Sequence, residues 1–142
     1  MSDMLTRITD AWVRAWGQGE TQAFEDLAGD NYSRQSKTGP EELDEVVRQI
    51  TESYNAFADF NVEVLHAIED DNLVAIHWRS TGRHTGEFMG VPPTGRTVTV
   101  IGASFLEHAG GKIVQESTVW DPREMLSAMQ IWHLGDFLRG KA

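Results

Sequence analysis

The chain has 142 residues, 40% of them hydrophobic, with 12 basic and 22 acidic side chains and a formal charge of −10. That length and composition suit one folded domain around one core rather than a disordered chain. The acidic balance without a basic stripe excludes nucleic-acid backbones and anionic membranes as expected partners, and the absence of cysteine excludes disulfides, thiolate catalysis and cysteine-held metals.

The chain opens Met1-Ser2-Asp3 with no basic stretch ahead of an apolar run, and nothing approaches ~18 consecutive apolar residues. A cytoplasmic protein without leader or membrane span is expected. No repeat, low-complexity run or linker divides the sequence, so residues 1–142 are expected to form a single domain.

Ser2 or Asp3 is placed to cap a first helix. Leu5, Ile8, Trp12, Ala15 and Trp16 follow at helical spacing, and Gly17-Gln18-Gly19 stops it. Thr21 is placed to cap a second helix over 22–28, with Phe24 and Leu27 inward, ended by Gly29-Asp30-Asn31. Residues 32–37 are polar and show no period. Thr38-Gly39-Pro40-Glu41-Glu42 reads as a helix start, since proline suits the first turn and carboxylates suit the positive end of the helix dipole. Leu43, Val46, Val47, Ile50, Tyr54 and Phe57 mark one face of that third helix.

From Asp59 the period changes to two: Phe60, Val62 and Val64 alternate with polar residues in a strand running to about 68. Asp70-Asp71-Asn72 turns the chain into a strand over 73–81. The next strand covers 98–106, with Val98, Val100 and Leu106 on one face and Ile101, Ala103 and Phe105 on the other. Ala109-Gly110-Gly111 is a hairpin turn into a strand over 112–120. A last helix is expected from Pro122 to about 138, carrying Met125, Leu126, Met129 and Trp132. Helices first and a strand meander after them is an α+β order.

Between the strands ending at 81 and beginning at 97 lies a crossing, 82–96, that holds four of the 13 glycines and two of the four prolines. Pro92-Pro93 removes two N–H donors and cannot continue a ladder, so this is a shaped connection. The large apolar side chains Trp12, Trp16, Tyr54, Phe57, Trp78, Phe88, Met89, Trp120 and Trp132 suit either plain core or, collectively, a deep small-molecule pocket. The polar ends of Tyr32 and Tyr54 suit ligand orientation. Five scattered histidines show no ligand spacing, and no Gly-rich nucleotide loop or serine elbow is present, so neither a metal nor another cofactor is expected. Two carboxylates stand out on or after the last strand. Glu116 suits acid–base work if it faces a dry pocket, and is otherwise a solvated strand residue. Asp121-Pro122-Arg123-Glu124 reads as a capping box, with a second role for Asp121 at a cavity mouth left open.

The segment His84-Thr85-Gly86-Glu87-Phe88-Met89-Gly90-Val91-Pro92-Pro93-Thr94-Gly95-Arg96 resembles the G-x-H-x-G…G-x-P-P-T-x-R segment of SnoaL-like polyketide cyclases, members of the nuclear transport factor two-like superfamily. The likeness extends to Gly111-Lys112-Ile113. It implies a cone: a strongly bent antiparallel sheet wrapped around N-terminal helices, enclosing an apolar cavity. It also implies a cofactor-free aldol ring closure on a hydrophobic polycyclic or polyketide-like molecule, run by one aspartate with polar groups of the neighbouring strand holding the enolate. Anchored on Gly111-Lys112-Ile113, that aspartate falls on Thr118, and the neighbouring strand's histidine and glutamine fall on Ser104 and Gly102. The family also includes relatives lacking the aspartate that take part in cofactor-independent hydroxylation, and modules that only bind ligands.

Asp121, Glu116 and His84 are therefore the expected catalytic residues, with His84 alternatively bonding the backbone of the crossing. Trp16, Tyr32, Tyr54, Trp78, Phe88, Met89, Ser104, Thr118 and Trp120 are expected to bind substrate. Because 97–106 is apolar on both faces, its outer face is expected to pair with a second subunit in a homodimer.

Overall fold

The structure, a computed structural model, describes residues 3–36 and 39–131. The apolar stripe at the N-terminus forms α1 (Asp3–Gln18), which buries Leu5, Ile8, Ala11, Trp12 and Ala15. Gly19, at φ +74°, turns the chain into α2 (Thr21–Leu27), which buries Phe24 and Leu27. The cap position is Glu20, without a side-chain bond, so Thr21 is the first helical residue rather than the cap.

The polar stretch that shows no period is a strand, β1 (Ala28–Ser36), followed by the short β2 (Gly39–Glu41). Its inward positions hold Tyr32 and Arg34, both buried, so burial here does not register as apolar alternation. Pro40 does not open a helix. It sits on β2, the edge strand, where its missing N–H costs the sheet no central ladder bond. The helix starts later, as α3 (Leu43–Ala56), with Glu42 at the cap and Asp44 and Glu45 in the first turn.

Four long strands follow: β3 (Phe57–Asp70), β4 (Leu73–His84), β5 (Thr97–Ala109) and β6 (Lys112–Trp120). Each pairs antiparallel with the next. The sheet order is β2-β1-β6-β5-β4-β3. β1 lies parallel to β6, so the sheet is mixed rather than wholly antiparallel. A parallel pair needs a long crossover, and here α3 and four strands, β2 to β5, supply it. The sheet is curved and unclosed and wraps the N-terminal helices, giving the α+β cone. Val98, Val100 and Leu106 face the core, while Ile101 and Phe105 are exposed on the outside. The β5–β6 hairpin turns on Gly110 and Gly111, both at positive φ.

In the crossing, Phe88 and Val91 exchange backbone hydrogen bonds of 3.0 and 2.9 Å around Met89-Gly90. Both turn residues have positive φ, +51° and +80°, which is the geometry of a two-residue hairpin turn. Arg96 O and Gly95 N bond His84 N and O, each at 2.8 Å, and close the base. After β6 comes α4 (Pro122–Ala128), with Met125 buried. The helix ends at Ala128, with Met129 at the C-cap and Gln130 at φ +61°, short of the expected run to about 138; Trp132 lies outside the described residues.

Candidate functional site

The helices and the inner face of the sheet enclose a cavity of about 410 Å³. α1 gives it Trp12 and Trp16, and β4 gives it Trp78, with Trp12 packed between the two at ring distances of 6.5 and 5.9 Å. Phe57, Phe60 and Val62 of β3, Val98 and Val100 of β5, and Met125 of α4 extend the apolar wall. Phe88 and Met89 bring the tip of the crossing to the same space. α3 contributes a polar side: Arg48, Gln49, Glu52 and Ser53.

On the sheet side the wall is polar at Ser104 and Thr118, cross-strand partners on β5 and β6. From them a chain of hydrogen bonds runs inward. Trp78 Nε1 donates to Ser104 Oγ at 3.1 Å, and Ser104 Oγ and Thr118 Oγ1 are 3.0 Å apart. Thr118 Oγ1 donates to Glu116 Oε2 at 3.4 Å, and Tyr32 Oη donates to Glu116 Oε1 at 2.7 Å. Glu116 is fully buried and lies behind the lining rather than on it. Its position follows from the strand period, which puts residues 116 and 118 on one face. Burial, and then the charge of Glu116, pushes the Tyr32 phenol above its ordinary value, so Tyr32 stays protonated and donates.

Trp78 reaches Ser104 because Gly102, its register partner, has no side chain. A Cβ at 102 would lie 2.7 Å from Trp78 Cη2 and 2.7 Å from Val119 O. The indole thus covers residue 102, and its N–H supplies a polar contact to the site.

Of the residues expected from the sequence, Trp16, Trp78, Phe88, Met89, Ser104, Thr118 and Trp120 all line the cavity. Tyr32 does not; it orients the buried carboxylate, with its ring edge-on to Phe24. Tyr54 is elsewhere. It lies one residue past the stripe of Val46, Gln49, Ile50 and Ser53, is 41% exposed, and covers Gly19. His84 is buried at the base of the crossing, outside the lining. Its Nδ1 accepts from Thr94 N–H at 3.2 Å, which leaves the proton of the neutral ring on Nε2. Burial holds the His84 pKa below the ordinary histidine value, against a smaller opposing effect of a hydrogen bond to the Gly86 backbone.

Asp121 is also off the lining. It is the N-cap of α4: Oδ1 accepts from Arg123 N at 2.9 Å, and Oδ2 pairs with Arg123 Nη2 at 3.0 Å. The cap is one-sided. Glu124 reaches Ile101 N at 3.5 Å instead of returning to Asp121 N–H, so the reciprocal box is not formed.

The sequence reading missed Arg34, Gln49, Ser53 and Phe60 in the wall. Phe60 carried a signal, since it opens the alternation of β3. Arg34 carried only its position two residues from Tyr32, which places both on one face of an extended segment. Among the described residues no three His, Asp or Glu side chains converge as metal ligands.

The same fold is seen in AclR of Streptomyces galilaeus, a candidate hydroxylase: 25% identity, TM-score 0.83, covering 92% of this chain and 97% of that one. It is seen in IdmH of Streptomyces antibioticus, a candidate polyketide cyclase, at 22% identity and TM-score 0.77, covering 91% and 99% of the two chains. A SnoaL-like protein of Jannaschia sp. CCS1 superposes with TM-score 0.76 at 18% identity, over 91% of this chain and 95% of that one. No curated protein matches the sequence significantly. The family model of the SnoaL-like polyketide cyclases matches residues 6–129, through both the lining and the hydrogen-bonded chain behind it, and the protein belongs to that family.

Proposed function

We propose that the protein is a cofactor-free acid–base enzyme that closes a ring, by an aldol-type step, on an apolar polycyclic or polyketide-like molecule held in the cavity. The observation that carries this reading is the fully buried Glu116 carboxylate, joined to the cavity wall by the hydroxyl of Thr118. A proton leaves the carbon next to a substrate carbonyl and passes through Thr118 to Glu116. Ser104 hydrogen-bonds the oxygen on which enolate charge develops, because the single hydroxyl proton of Thr118 is engaged in the relay to Glu116. The enolate carbon attacks a second carbonyl of the same molecule, and the alkoxide so formed takes the proton back. Atoms balance without a co-reactant, and the product is an isomer of the substrate. Asp121, held on Arg123 away from the lining, has no part in this route.

Glu116→Gln keeps shape and hydrogen-bonding capacity but cannot accept the proton. Turnover of a panel of polyketide-derived aromatic ketones should fall by ~10²–10⁴, while binding of the same compounds persists. Wild-type turnover in the Gln variant would remove Glu116 from the reaction, and binding without turnover in either protein would favour a ligand-binding role. A second reading, hydroxylation, is favoured by the 25% identity to AclR. Mass spectrometry separates the two, because ring closure preserves the substrate mass and hydroxylation adds one oxygen atom.

A further inference from the structure

Arg34 stands on β1 in the cavity wall with only 9% of its surface exposed. Its guanidinium carbon is 5.2 Å from the centroid of the Trp16 ring, and Nη1 donates to Gln49 Oε1 at 3.1 Å. It forms no ion pair with any carboxylate among the described residues. Glu116, its register partner on β6, has its oxygens on Tyr32 and Thr118. Glu41 accepts from the Gln49 amide instead. The other charged groups of the wall, Arg48 and Glu52, bond each other at 3.1 Å. Among the described residues of the lining, Arg34 is thus the cation without a counter-ion.

A guanidinium carries several N–H donors in a rigid planar fork and keeps its charge at any ordinary pH. One neutral acceptor and one aromatic face satisfy it only in part, and a buried cation left so is costly. An anion arriving in the cavity would complete it, and the fork matches the two oxygens of a carboxylate.

We propose that Arg34 is the specificity residue of this cavity and clamps a carboxylate on an otherwise apolar ligand. The substrate class is then an aromatic or polyketide-like acid, not its neutral ester. This deepens the functional reading above and rests on it for one point, that the cavity is the substrate site. The acid end at Arg34 and the carbonyl end at Ser104 and Thr118 are held by different strands, so the pair fixes which way round the molecule lies. With a formal charge of −10 the protein repels anions at long range, so a preference for an acid has to come from the cavity itself.

The test uses an anthracene carboxylate and its methyl ester, titrated into the full chain by calorimetry or fluorescence. The acid should bind wild type about 10-fold or more tightly than the ester. Arg34→Gln should bring the affinities of acid and ester together, and Arg34→Lys, which keeps the charge but loses the fork, should retain part of the preference. Equal affinities in wild type overturn the clamp and leave the cavity reading standing. An acid preference that survives in Arg34→Gln also overturns it. Failure of both probes to bind overturns the clamp together with the cavity reading. Circular dichroism shows whether the Gln variant is folded; if it is not, the wild-type comparison decides alone.

Discussion

At Asp121 the sequence leaves two roles open, and the geometry supports the cap. The carboxylate bonds Arg123 N and the Arg123 guanidinium at the start of α4, and it does not line the cavity. Asparagine caps a helix about as well as aspartate, so Asp121→Asn should leave the thermal midpoint nearly unchanged, whereas Asp121→Ala should cost ~1 kcal/mol. Turnover should stay at the wild-type level in both. A large drop in turnover in the Asn variant, with its midpoint intact, would return Asp121 to the chemistry. Glu116 is the opposite case. Its two-residue spacing from Thr118 placed both on one face, and their hydrogen bond follows from that spacing. Arg34 could not be read in the same way, because a buried arginine in a polar strand has the same sequence signature as a solvated one.

At the level of elements, legibility tracks how apolar the buried face is. α1 and β5 bury Leu, Ile, Val and Trp at regular spacing, and both were readable from the sequence. β1 buries Tyr32 and Arg34 and shows no period in the sequence. Tyr54 follows the apolar spacing of α3 but falls outside the stripe that Gln49 and Ser53 continue, since polar residues there face the cavity. The crossing was legible through its glycines and prolines, and its pinning by His84 brings a pH dependence. Burial holds the folded His84 below its ordinary pKa, near 6.5, while the unfolded chain protonates at that ordinary value. The unfolded state therefore binds more protons as pH falls. The stability that His84 contributes is present above about pH 6.5 and is lost as pH drops toward the lowered folded value. His84→Asn, which keeps an acceptor for Thr94 N–H but does not titrate, should show a shallower fall in thermal midpoint between about pH 7 and about pH 5. Parallel curves for the two proteins would rule out that contribution.

For the molecule as a whole, the outer face of the sheet bears on assembly. Ile101 is 40% exposed, Phe105 38% and Val119 62%, and Val119 pairs in register with Ala103 between them. This contiguous apolar face is expected to be covered by a second copy in a two-fold dimer. Light scattering at high micromolar concentration should return twice the monomer mass, and Phe105→Glu should halve it; a wild-type monomer under those conditions would sink the expectation.

The parallel seam between β1 and β6 has a consequence for how the site comes into being. Tyr32 and Glu116 are 84 residues apart in the chain, and Arg34 meets Glu116 only across that seam. Each half of the sequence carries one side of the polar machinery, and closing so long a loop gains nothing until the intervening strands are in place. The β5–β6 hairpin can bring Ser104, Thr118 and Glu116 together by itself, but Tyr32 and Arg34 join them only across the parallel seam. A nascent chain stays chemically silent until β6, the last strand of the sheet, has been added alongside β1.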